Sequence, residues 1–103
     1  MGNMQTLHTL TAGGRVLWVC PADGVARIEC LSRLTWPAGL ILDVQVSLSG
    51  TRFTYPSGFA TLQFTANGIC SAFSVAAGSY ISVSVNTASA TDALIELTPS
   101  FGT

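Results

Sequence analysis

Apolar and polar residues alternate with a period of two through most of the chain, the spacing of strands that bury one face. The clearest stretch is Ala60 to Val85. Asn67-Gly68 sits between two alternating runs there, and this dipeptide favours a type I′ hairpin turn. A hairpin folded at that point pairs Ala66 with Ile69, Phe64 with Ser71, Leu62 with Phe73 and Ala60 with Val75, giving one apolar face. Its other face carries Thr61, Gln63, Thr65, Cys70, Ala72 and Ser74, without a charge. Tyr80 to Val85 repeats the alternation as a third strand.

The same reading extends along the chain. Arg15 to Cys20 is a strand with apolar residues on both faces, and Pro21-Ala22-Asp23-Gly24 is a turn. Val25 to Thr35 turns Ala26, Ile28, Cys30 and Leu34 inward and Arg27, Glu29 and Arg33 outward. After the turn Trp36-Pro37-Ala38-Gly39, Leu40 to Leu48 points Leu40, Leu42, Val44, Val46 and Leu48 inward, with Asp43, Gln45 and Ser47 outward. Gly50 to Gly58 is a long loop, and Asn86 to Thr91 a Ser/Thr/Ala loop. Asp92 to Thr98 is the last strand, with Ala93, Ile95 and Leu97 inward and Pro99 ending the pairing. Residues 1–12 are polar and form an N-terminal arm or edge segment. Seven or eight short strands separated by turn clusters predict an all-β fold, a single antiparallel β-sandwich spanning residues 1–103.

Composition then narrows the function. Only 9% of residues are charged against 49% hydrophobic, where a soluble domain averages roughly a quarter charged. All four basic residues are arginines, and the net charge is −1. Nothing here resembles a basic footprint for nucleic acid or for an anionic membrane surface. No run approaches the roughly 18 apolar residues of a membrane span, and Met1 to Thr6 has no basic or apolar signal region. A surface with so few charges favours association.

The candidate chemistry is sparse. His8 is the single histidine and has no G-x-S-x-G partner element, and no glycine loop suited to phosphate leads into a helix. Asp23, Glu29, Asp43, Asp92 and Glu96 read as turn or outward-facing carboxylates rather than a catalytic pair. Cys20, Cys30 and Cys70 lack zinc-ligand spacing and are expected as reduced, partly buried thiols, with a Cys20–Cys30 bridge the alternative if Asp23-Gly24 turns a hairpin. No enzyme, cofactor or metal is expected. Trp36 and Tyr55, each before a proline in a turn, are the candidate ligand-facing aromatics, within a wider set of Trp18, Phe53, Phe59 and Tyr80. Stacked on sugar rings, they would make the domain a carbohydrate-binding or host-adhesion module.

The run Ser74-Val75-Ala76-Ala77-Gly78-Ser79-Tyr80-Ile81-Ser82-Val83-Ser84-Val85 is similar to the x-A-G-x-x-I-x-V-x-V strand entry common in jelly-roll folds. With the low charge and the polar start, the chain resembles small structural proteins of tailed-bacteriophage virions, particularly capsid decoration (head-cement) proteins and short tail components. That resemblance implies a jelly-roll-like sandwich made in a host cytoplasm and carried in the virion. It also implies a homo-oligomer, a trimer above all, docked on a capsid or other virion protein. The subunit contact is expected on the uncharged face of Thr61, Gln63, Thr65, Cys70, Ala72 and Ser74.

Overall fold

The computed structural model describes residues 5–7, 14–32, 35–87 and 95–102. Nine strand segments follow one another: β1 (Gln5–Leu7), β2 (Arg15–Val19), β3 (Gly24–Ser32), β4 (Ile41–Ser47), β5 (Gln63–Phe64), β6 (Gly68–Ile69), β7 (Phe73–Val75), β8 (Tyr80–Thr87) and β9 (Ile95–Gly102). One sheet runs β1-β9-β3, with β6 and β7 in succession along the far edge of β3. The other runs β2-β8-β4-β5. All pairings are antiparallel.

Since β6 and β7 share one edge position, each sheet is four strands wide. Every connection but β4 to β5, and the short step from β6 to β7 along one edge, carries the chain from one sheet to the other. That order is the jelly-roll form of the β-sandwich. The two sheets face each other across a core built from the alternating positions. Ala26, Ile28 and Cys30 of β3 and Ile95 and Leu97 of β9 meet Leu42 and Val44 of β4 and Ile81, Val83 and Val85 of β8. Trp18, Phe64 and Phe73 complete it. Fully burying one such aliphatic side chain is worth about 1.5–3 kcal/mol.

The hairpin expected at Asn67-Gly68 does not form. Gln63 and Phe64 pair with Asp43 and Leu42 in one sheet, whereas Gly68 and Ile69 pair with Cys30 and Glu29 in the other. No non-glycine residue among those described has a positive φ, so Asn67 lacks the geometry a type I′ turn demands. Asn67 instead accepts the Ser32 N–H on Oδ1 at 2.7 Å, tying the crossover to the end of β3. Leu62, Phe64 and Phe73 do all point into one core, but from opposite sheets.

The edge strand of β6 and β7 is broken by a bulge. Between the pairs Glu29–Ile69 and Ala26–Phe73, three residues (Cys70, Ser71, Ala72) oppose two (Arg27, Ile28). The Cys70 N–H still donates to the Ile28 carbonyl at 3.0 Å, and the Ile28 N–H donates to the Cys70 sulfur at 3.3 Å.

Three further expectations change. The Asp23-Gly24 turn links strands of different sheets, so Cys20 and Cys30 do not face each other across a hairpin, and all three cysteines are unbridged. Pro99 does not end the last strand: β9 continues to Gly102, pairing with β3 throughout. Pro99 sits opposite Ile28, whose own N–H and carbonyl face Cys70, so the ladder asks no hydrogen bond of the proline nitrogen. Leu48, expected inside, is 83% exposed because β4 ends at Ser47. Within the expected arm, Gln5–Leu7 is an edge strand on β9. His8, Arg33, Leu34, Asp92 and Ala93 lie outside the described residues.

Candidate functional site

Three features of the surface could carry function. The first lies on the outer face of the β2-β8-β4-β5 sheet. Period-two alternation puts Asp43, Gln45 and Ser47 there, but the long segment between β4 and β5 folds back over them. Thr54 exchanges backbone hydrogen bonds with Val46 at 2.8 and 3.0 Å, and Arg15 lies 4.0 Å from the centroid of the Phe53 ring. Gly50, at φ +83°, passes so close to Tyr80 that a Cβ would come within 3.0 Å of its ring. Asp43 is consequently only 8% exposed.

Its carboxylate is fully engaged. Oδ1 accepts from the Tyr55 hydroxyl at 2.6 Å and from Gln63 Nε2 at 2.8 Å, and Oδ2 accepts from Asn86 Nδ2 at 2.9 Å. Donating to Asp43 holds the Tyr55 hydroxyl above its usual pKa, and burial and the carboxylate's charge push the same way. Three donors on one carboxylate from β5, β8 and the covering loop make a strut that pins the loop to the sheet. On β8, opposite Gln45, the Ser82 hydroxyl is wholly buried without a hydrogen-bond partner.

The second feature is a cleft of about 560 Å³ where the sandwich is open at its edge. Val46, Leu48 and Thr54 line it from one sheet, and Val75 and Ala76 from the other, with Arg52 at hand. Arg52 has no ion-pair partner among the described residues.

The third is the set of apolar side chains left outside. Leu17 (43% exposed) and Val19 (58%) stand on the outer face of β2; Val25 and Leu31 stand on β3, Ile69 on β6 and Leu48 beside the cleft. Their charged neighbours are few: Arg27, Glu29 and Glu96 on the β3 side, Arg15 on the β2 side.

Of the six residues expected as one subunit contact, Gln63, Thr65 and Cys70 line one shallow cavity, while the six do not share one strand face. Thr61 and Thr65 are exposed in the segments flanking β5, and Gln63 is occupied by Asp43. Cys70 is turned into the bulge, Ala72 is half-buried beside it, and Ser74 is exposed on β7 in the other sheet. Their grouping requires a hairpin that the chain does not form. The two candidate aromatics are committed inward: Trp36 packs on the core and donates its Nε1–H to the Leu40 carbonyl at 3.1 Å, and Tyr55 packs on the core while bound to Asp43. A sugar platform loses both of its leading side chains to the fold. Among the described residues no group of three His, Cys, Asp or Glu could hold a metal ion.

The thiols are insulated. Burial pushes Cys30 up to about 12, with neighbouring Cys70 acting the same way, and burial raises Cys20 and Cys70 as well. Cys20 accepts the Ser79 hydroxyl at 3.4 Å. What sequence reasoning missed is the third feature: Leu17 and Val19 were legible as apolar on the second face of their strand, but only the topology puts that strand at a sheet edge. No family model matches the chain, and no curated protein is similar enough to match it.

Proposed function

We propose that this protein is a non-enzymatic structural component of a tailed-bacteriophage virion, a capsid decoration protein that associates with its own copies and docks on the shell. The observation that carries this reading is the set of apolar side chains left standing on the outside of a jelly roll with only 9% charged residues. Low charge of this kind favours association, and Leu17 and Val19 add apolar side chains along one sheet edge. The jelly-roll order adds support, since that architecture recurs in viral capsid domains, though it also serves lectins and cupins. The engagement of Asp43, Tyr55, Gln63 and Asn86 with one another favours binding over chemistry, because it leaves their polar atoms to hold the loop. The protein is made in the host cytoplasm and carried in the virion.

Shells assembled from the capsid protein encoded beside this chain test the reading. Mixed with them, the protein is expected to co-sediment at a fixed ratio per shell, and to stay bound in high salt, since few charges take part. Protein left wholly in the supernatant contradicts it.

A further inference from the structure

The edge of β2 turns unpaired main-chain groups away from its own sheet. In an antiparallel pair, alternate residues direct their N–H and carbonyl groups to the same neighbour. Cys20 exchanges hydrogen bonds with Ser79 and Gly78, and Gly14 accepts from Val85, so the even-numbered residues of this stretch face β8. Arg15, Leu17 and Val19 therefore turn their N–H and carbonyl groups away from the sheet, and none has a hydrogen-bond partner among the described residues.

The other described edges are protected. β1 is three residues long, and the stretch of β9 beyond it carries Pro99. β5 is two residues long, with the adjoining stretch of β4 covered by Thr54. The β6–β7 edge is broken by the Cys70 bulge. Short strands, bulges and covering loops are the usual means of preventing edge-to-edge association. Among the described residues, β2 has none of them. Its sequence Arg-Val-Leu-Trp-Val is rich in strand formers, contains no proline, lysine or bulge, and presents Leu17 and Val19 to solvent.

We propose that two copies join through β2 in an antiparallel, two-fold arrangement centred on Leu17, making one continuous sheet of eight strands. Leu17 then faces Leu17 of the second copy, and Arg15 of each faces Val19 of the other. Each outward-directed N–H donates to a carbonyl of the opposite copy, so the three N–H and three carbonyl groups of each edge are all used, as a self-complementary interface requires. Charge permits the pairing: the two Arg15 residues lie about 13 Å apart along the strands, beyond the screening length in physiological salt. Five residues per copy sit at the lower end of specific interfaces, so the dimer is micromolar rather than obligate.

This deepens the self-association part of the proposed function but rests on the edge alone, and its test uses no capsid. The first measurement is the sedimentation of the full chain from about 1 to about 500 µM. A monomer–dimer equilibrium is expected, and a monomer throughout overturns the proposal. Leu17→Lys puts two like charges face to face at the axis and should weaken the dimer by about tenfold or more, with the thermal midpoint of the dilute protein unchanged. An unaltered dimer in a folded Leu17→Lys protein also overturns it. Register is read separately: at the axis the two Cα atoms lie about 5.5 Å apart, so Leu17→Cys should form an intermolecular disulfide under copper-phenanthroline and oxygen, while Val19→Cys, about 13 Å from its counterpart, should not. Equal cross-linking of both variants rules out this register. Failure of shell docking with an intact dimer would strike the virion reading and leave this one standing.

Discussion

Asp43 illustrates how a side chain that looks available for chemistry is turned to structure. It lies on the solvent parity of β4, yet Tyr55, Gln63 and Asn86 all donate to it. Replacing it with Asn keeps the shape, removes the charge, and sets an amide donor against donors already in place. Asp43→Asn should lower stability by about 1–3 kcal/mol, read as a smaller urea midpoint at unchanged slope. Cys30 gives a second prediction at this scale. Its pKa is raised from 9.0 to about 12 chiefly by burial. Below the unfolded value the thiol is protonated in both states and costs nothing; above it the unfolded chain loses the proton and gains free energy that the folded protein cannot. Stability should therefore hold level to about pH 9 and fall toward pH 12, and Cys30→Ala should flatten that decline. The native thiols should also resist alkylation at neutral pH and react once the protein is unfolded.

At the scale of elements, the period of two was a dependable guide to which residues enter the core. Ala26, Ile28 and Cys30, then Leu42 and Val44, then Ile81, Val83 and Val85, are all buried as their alternation predicts. Alternation does not identify the neighbouring strand, because a side chain reaching the core from either sheet leaves the same trace. That is why Leu62, Phe64 and Phe73 read as one hairpin face although β5 and β7 lie in opposite sheets. The candidate contact changes with it: Gln63 and Ser74 lie on strands of opposite sheets, and only Gln63, Thr65 and Cys70 come to one cavity. Coverage was equally hidden: nothing local to Asp43 or Ser47 announces that the loop through Phe53 and Tyr55 lies over them. Pro99 misled for a related reason, since its missing N–H matters only if the ladder needs it there. The exposed edge of β2 is a property of strand order, and strand order is non-local.

The whole molecule is a jelly roll with only 9% charged residues, and the proposed contact rests on one five-residue edge. If main-chain hydrogen bonds and the apolar side chains of β2 hold copies together, ionic strength should matter little, because the pairing uses no ion pair. A contact built on the arginines would behave oppositely. Docking on a shell would then present already paired subunits, and the exposed residues of β3 and β6 would remain for the shell itself. The most direct test is sedimentation equilibrium of the unmodified protein at about 0.1 M and about 1 M salt. The account predicts a reversible dimer whose dissociation constant changes by less than about threefold between them. A monomer at both salt concentrations, or a dimer that falls apart in the higher one, would contradict it.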